Sequence, residues 1–549
     1  MVSALTAKTN PLHQGIDRYD AVVIGAGPSG LYELHLLREK GLRVLAIEAG
    51  GGVGGTWYWN RYPGCRLHSE SYTYQYFWSE ELLEEWQWSE VFAGQPELER
   101  YYNHVADKYD LRKDILFDTR VEALTFDESA DEWQVRTDQG DTVRARVVVA
   151  TVGMLSAPIY PDVPGLDSFE GEAHHTSRWP HEGVDFRGKR VAVIGTGASG
   201  VQVIPQIAKD AAHLSVLIRT PNYVLPLRNR PLDAAESADL RARANEIHDR
   251  ISSTVLGFTW SPEPKPTTDY TPEELRAHYE KRWQEPGWAK VFGLPHDILL
   301  EDGPNKTYAD FILEKSRPRI HDAELAEKLM PKHAVMAKPA DYDMDNYYEV
   351  FNQDNVDAFF VQDNPIEAIT PTGIRLRDGR LDVDVIVYAT GFEVHTGAFK
   401  RIDIIGAGGV KLKEVWDDKV VTYLGLMAPG FPNLFLVGGP NGRAASGNCP
   451  IAFEVAGEWI ADTTQRLVEG GYARLEADPV AAQEWGRRIE QDGRTGVGAR
   501  SEVSSYAYGT NVAGHKRQFL AASIPLPEFN TLLREIAETD FTTGFILSR

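Results

Sequence analysis

The chain has 549 residues, 42% apolar and 25% charged, the balance of an ordinary globular protein too long for a single core. Its formal charge of −23 argues against nucleic acid or an anionic membrane as partner, since either would repel it. Cys65 and Cys449 form no Cys-x-x-Cys pair, which excludes a dithiol relay. No apolar run reaches membrane-spanning length and no basic-plus-apolar leader opens the chain, so a cytoplasmic enzyme is expected.

Residues 1–18 are mixed and polar and read as a loosely held tail. From Tyr19 the order is strand, glycine loop, helix (Leu31–Lys40) and a second strand, Arg43–Ile47. The loop, VVIGAGPSG, sets Gly25, Gly27 and Gly30 in turn. The first permits the tight turn, the second lets backbone approach a pyrophosphate, and the third lets helix pack on strand. Glu48 stands about 20 residues further on, where an acid would hold a ribose hydroxyl. A solvated strand-end carboxylate is the bland alternative. Gly54–Tyr76 is rich in aromatics and glycine. Residues 115–150 alternate as a β-meander, and Val147–Thr151 returns to the parallel sheet.

A second unit starts near Pro158. After FEGEAHHTSRWP (Phe169–Pro180) comes VAVIGTGASG, with Gly195, Thr196, Gly197 and Gly200 in the same spacing. A helix, Val201–Lys209, carries Gln202, and the strand Leu214–Ile218 ends in Arg219-Thr220. An arginine there binds the 2′-phosphate of NADP, which an acid would repel, so NADPH is expected over NADH. An arginine that only caps the strand is the alternative. Two such loops imply two nucleotides, most simply a bound flavin (FAD) in the first and a travelling nicotinamide in the second.

Residues 221–331 break the α/β rhythm. Thr271 and Glu274 form a capping box with Pro272 between them, opening a helix over Glu273–Gln284. Leu232–Ser252 and Asp322–Leu329 also read as helices, so an inserted helical subdomain is expected to wall the substrate cavity. The α/β pattern resumes with strands at Ala358–Val361, Ile366–Ile369, Gly373–Arg377 and Val383–Ala389, the last expected to return the chain to the flavin domain. A buried strand, Asn433–Gly439, exits through a glycine-rich loop into a helix at Ile451–Glu469, and the loop is expected to close over the flavin with Asn448 and Cys449 near the ring.

The pattern Phe169-x-Gly171-x-x-x-His175-x-x-x-Trp179-Pro180 is more specific than either glycine loop. With it, and with GGTWYWNRYPGCR (Gly54–Arg66), VGMLSAP (Val152–Pro158), IRTPNY (Ile218–Tyr223) and YATGF (Tyr388–Phe392), the chain resembles the Baeyer–Villiger monooxygenases. These class B flavoprotein monooxygenases insert oxygen beside a ketone carbonyl. The resemblance implies that Thr56, Trp57, Tyr74 and Val121 lie along FAD, and that Ser504–Arg517 contacts the nicotinamide. It places His175 and Trp179 in the hinge between domains, a buried structural histidine being the alternative. It also implies that NADPH reduces FAD and that the reduced flavin adds O₂, while the protein positions the reactants and excludes water.

That family holds an anionic flavin peroxide with an arginine, itself oriented by an aspartate. The aspartate falls three positions after Cys65, which here is His68. An ungapped reading from Pro331-Lys332 to Tyr347-Tyr348 puts Ala340 in the arginine's place, with Lys338 the nearest basic residue. Either Lys338 or another cation (Arg443 or Lys516) serves instead, or a neutral hydroperoxide delivers oxygen to a heteroatom. Loss of both partners favours the second reading, N-oxidation of an aromatic or amine nitrogen, with ketone oxidation as the alternative. His68 then bonds the peroxide or a substrate nitrogen, or only fills space. A reductase that oxygenates nothing is a third reading.

The fold expected is α/β: two Rossmann-like dinucleotide-binding domains with a helical insert. FAD takes 19–156 and 382–549, NADPH takes 157–221 and 332–381, and the insert is 222–331. The reactants are a small organic substrate and O₂; no metal and no protein partner is expected.

Overall fold

The computed structural model describes residues 17–344, 346–539 and 541–549. The expected tail lies outside them except at its end, where Arg18 already opens β1 (Arg18–Ile24). Strand β1 alternates Ala21 and Val23 to one core and Val22 and Ile24 to another, as a strand covered on both faces must. It pairs in parallel with β2 (Val44–Ile47), which pairs with β3 (Ile115–Leu116). The expected meander forms from β4 (Val121–Asp127), β5 (Glu132–Thr137) and β6 (Thr142–Ala150), and β6 closes in parallel onto β1. Helix α1 (Pro28–Glu39) follows the first glycine turn.

The second sheet is parallel throughout. It contains β7 (Glu172–His175), β8 (Arg190–Ile194) and β9 (His213–Ile218), with helix α2 (Ala198–Ile207) after the second glycine turn. A short pair, β10 (Val224–Pro226) with β11 (Asp341–Asp343), ties the two ends of the insert together. Then come β12 (Val356–Phe360), which pairs with β9, and an antiparallel trio, β13 (Ile366–Thr370), β14 (Gly373–Leu376) and β15 (Gly379–Asp382).

Three expectations need correction here. Strand β16 (Val385–Tyr388) does not return the chain to the flavin domain; it fills the slot between β8 and β7 in the second sheet. Its four residues are buried on both faces, which fits a central strand of either sheet, so composition could not choose. The boundary expected at 382 therefore moves past Gly391, and β17 (Asp403–Ile405) rejoins the first sheet against β4. The helix expected over Leu232–Ser252 is two, α3 (Ala234–Ala242) and α4 (Ala244–Ser252), broken at Arg243 (φ −104°, ψ 14°). The break lets Ile247 and Ile251 pack on Ile451 and Leu526. The insert also holds α5 (Pro272–Gln284), α6 (Asp302–Ser316) and α7 (Ala323–Leu329). Helix α6 was not foreseen; Pro304 falls in its first turn, where proline is tolerated.

The first domain is completed by β18 (Leu434–Leu436), parallel to β6, and the long helix α8 (Cys449–Glu469) packed on α1. No helix among the described residues is long and apolar enough to cross a membrane.

Candidate active site

The carboxyl ends of β1, β6 and β18 lie side by side, and ligands of open α/β sheets bind outside such ends. Gly25 turns there with φ 107°, and a Cβ on it would sit 2.7 Å from the Thr151 carbonyl oxygen. Helix α1 starts from Gly27 with no side-chain cap, leaving its first N–H groups for an anion. A Cβ on Gly55 would stand 2.7 Å from the Gly27 Cα, so two bare backbones meet at the cradle. Glu48 is buried, and its two oxygens accept N–H from Ala26 and Gly50, each at 2.7 Å. Burial pushes its pKa up against those bonds and a third from the Trp59 side chain, and the carboxylate keeps one lone pair for a ribose hydroxyl. Thr119 N–H donates to the Glu48 carbonyl, which puts the start of β4 and Val121 beside the same acid. Thr56 and Trp57 open the short turn of helix after Gly55, with Tyr74 edge-on to Trp57 at 5.9 Å. These residues fit FAD.

The second cradle repeats the first. Gly195 has φ 106°, a Cβ there would lie 2.5 Å from the Ala389 carbonyl oxygen, and Gly197 leaves α2 uncapped. Gly200 and the buried Thr196 complete the turn, with Tyr347 in hydrogen-bonding reach of Thr196. Arg219 is exposed at the end of β9, and Thr220 follows. Lys338, offered above as a stand-in at the flavin, is half-buried, and the charges acting on it are those of Asp341 and Arg219. These residues fit a phosphorylated nicotinamide nucleotide.

Gln202, expected at the cofactor, spends its whole amide inside the protein. Its Oε1 accepts from Tyr62 Oη at 2.8 Å, while Nε2 donates to the Arg66 carbonyl at 3.1 Å and to His68 Nε2 at 2.8 Å. His68 Nε2 is therefore the acceptor, and the ring carries its proton on Nδ1. Burial, then the Arg66 charge, lowers the His68 pKa to about 4, so the imidazole is neutral. Its ring meets Tyr342 at 5.4 Å, and Ala340 is buried at the entry to β11. The charge next to Ala340 is an acid: Asp341 accepts from Asn222 Nδ2 at 2.8 Å, and burial raises it to about 6. Lys516 is exposed and paired with Asp418 at 2.9 Å, which removes it as a stand-in. The Tyr62–Gln202–His68 bridge was invisible in sequence, because its partners lie more than a hundred positions apart.

The Phe169–Pro180 motif builds a wall and a crossing. A Cβ on Gly171 would sit 2.5 Å from the Phe169 ring, and Trp179 is buried against Tyr62, Phe186 and His174. His175 lies between the two linkers: its ring meets Tyr160 and Phe392, where Ile159 N–H donates to Gly391 at 3.0 Å. Cys449 opens α8, half-buried, with its thiol 3.1 Å from the Ala444 carbonyl and pushed up to about 11 by burial.

A family model described as pyridine nucleotide-disulphide oxidoreductase matches residues 22–245. The acetone monooxygenase (methyl acetate-forming) of Gordonia sp. (strain TY-5) is 40% identical over 540 residues, 96% of this chain and 99% of that protein. The 2-oxo-Δ³-4,5,5-trimethylcyclopentenylacetyl-CoA monooxygenase of Pseudomonas putida is 43% identical, covering 86% and 88%. The phenazine N-monooxygenase PhzNO1 of Lysobacter antibioticus is 35% identical, covering 96% and 97%. Among solved structures, OTEMO in complex with FAD and NADP superposes with TM-score 0.92 at 40% identity, covering 96% of this chain and 99% of that one. A closed cyclohexanone monooxygenase superposes with TM-score 0.93 at 37% identity, covering 97% and 100%. The chain belongs to the class B flavoprotein monooxygenases, the FAD- and NADPH-dependent family of the Baeyer–Villiger enzymes.

Proposed function

We propose that this enzyme oxidises a small ketone to an ester or lactone. The observation that carries the reading is likeness over nearly the whole chain to monooxygenases named for ketones, acetone and cyclohexanone among them. This reverses the order expected from His68 and Ala340 alone. FAD and NADPH supply the chemistry: a hydride, and one oxygen atom of O₂ made transferable. The chain's own residues bind, orient and exclude water. The two glycine turns and uncapped helices hold the diphosphates, Glu48 fixes a ribose, and Arg219 with Lys338 takes the 2′-phosphate. Tyr102 and Tyr342 are fully buried, and with Tyr74 and Tyr506 they keep water out of the cleft. His68, neutral, can donate from Nδ1 but brings no charge.

In an ¹⁸O₂ atmosphere a cyclic ketone should yield lactone carrying one heavy oxygen. Unlabelled product, or none, counts against the reading. N-oxidation remains the second reading, favoured by the missing aspartate–arginine pair and by the phenazine relative. An aromatic N-heterocycle converted to its N-oxide while the ketone stays untouched would establish it.

A further inference from the structure

Arg443 lies in the loop between β18 and α8 and is 3% exposed. Its Nη2 donates to the Val255 carbonyl of the insert, while Nε and Nη1 find no acceptor among the described residues. Among the described residues no carboxylate pairs with it, and the one titratable group coupled to it is the Cys449 thiol, which burial keeps protonated and neutral. Burial lowers its pKa to about 10, which still leaves it charged at neutral pH. An unpaired buried guanidinium is costly to keep. The permanent anions of both cofactors have cradles elsewhere, at the two glycine turns and at Arg219 with Lys338.

The loop is shaped around this cation. A Cβ on Gly447 would stand 2.9 Å from Nη1 and 3.0 Å from Nη2, so only glycine leaves the guanidinium its room. Gly447 and Cys449 are partly exposed while Arg443 is not, which sets the charge beneath the surface that the resemblance places beside the flavin ring. Tyr74, Tyr102 and Tyr506 all lie within electrostatic reach of Cys449. The N-terminus of α8, a helix of 21 residues, lies at the same place. Its N-cap, Asn448, turns its amide to Thr73 and Gly257 at 2.8 and 3.0 Å, so the first turn is uncapped and its positive end is bare.

We propose that Arg443 is the positioning cation of this site, acting through its field and not by contact. With the α8 N-terminus it makes negative charge favourable at the reacting centre, a task the family gives to an arginine at the position held here by Ala340. The inference rests on the ketone reading for its purpose. Hydride transfer moves two electrons and a proton from nicotinamide to flavin; the nicotinamide leaves oxidised, and the flavin keeps one negative charge at neutral pH. A charge enclosed in protein is little screened, so it acts beyond contact distance.

The test uses oxidised holoenzyme and sulfite, whose lone pair bonds to the flavin to give an anionic adduct seen as bleaching. Arg443→Met should weaken sulfite binding about 10- to 100-fold and lower the flavin midpoint potential. Arg443→Lys should restore most of both, with NADPH affinity unchanged. A merely structural arginine predicts lower thermal stability in both variants without a change in sulfite affinity or potential, and that result would overturn the proposal. If Arg443→Met does not retain FAD, Arg443→Gln against Arg443→Lys makes the same comparison. Sulfite needs no ketone: a wild type that forms no ester would remove the proposed function and leave this result standing, and the converse holds equally.

Discussion

At position 68 the imidazole is kept neutral by its surroundings, since Nε2 is already accepting from Gln202 and the ring is desolvated. A pH–activity profile should therefore show no step from His68 between pH 5 and 9; a His68→Gln variant with a shifted profile would contradict this. Restoring the family's pair with His68→Asp and Ala340→Arg should raise ester yield and partly rescue Arg443→Met, because a contact guanidinium replaces a distant one. At the nicotinamide end, Arg219→Ala should weaken NADPH binding about 10- to 100-fold and leave NADH binding unchanged. Equal loss for both nucleotides would mean that Arg219 does not read the 2′-phosphate.

The pairing of α1 with α8 carries an odd residue. Glu33 is 1% exposed, neither carboxyl oxygen has a partner among the described residues, and Gly457 of α8 leaves it the space. Burial pushes its pKa well above the usual 4.5, and Lys40 offsets this only in part. The folded state thus holds a proton that the unfolded state gives up, so stability is full below about pH 4.5 and drains away as pH rises. Glu33→Gln should gain about 1–3 kcal/mol at pH 8 and almost nothing at pH 4.5, read by urea denaturation; equal gains at both values would contradict this. Glu33 was not legible in sequence, where it reads as one polar position of a helix. Both glycine turns, the meander and the helix opened by Thr271 were legible, because local geometry demands those residues. Strand β16 was assigned to the wrong sheet, since a strand buried on both faces carries no mark of its neighbours. The site was legible in its cofactor cradles, which are local, but not in the Gln202 bridge or the enclosure of Arg443, which exist only once distant segments meet.

Across the whole molecule, two linkers join the two nucleotide-binding sheets, and the insert is tied back onto the first. His248 of α4 meets Glu454 of α8 at 2.7 Å, while His175 sits at the linker crossing. His175 and His395 are buried, and desolvation lowers both to about 4. Each stays neutral in the fold while the unfolded chain takes up a proton below pH 6.5, so stability falls as pH drops from 6.5 to 4. The loss is on the order of 3 kcal/mol for each by pH 4. Glu33 acts with the opposite sign in both proteins, so the test is the difference: by denaturant unfolding, wild type should lose more stability than His395→Leu between pH 7 and 4.5, and equal losses would contradict this. The most direct measurement on the enzyme as a whole is a product panel. Purified holoenzyme with NADPH and O₂ meets a cyclic ketone, a sulfide and an aromatic N-heterocycle, and products and NADPH consumption are followed together. Lactone formed in step with NADPH consumption is the expected result. An N-oxide without lactone, or peroxide alone with every substrate, would contradict ketone oxygenation.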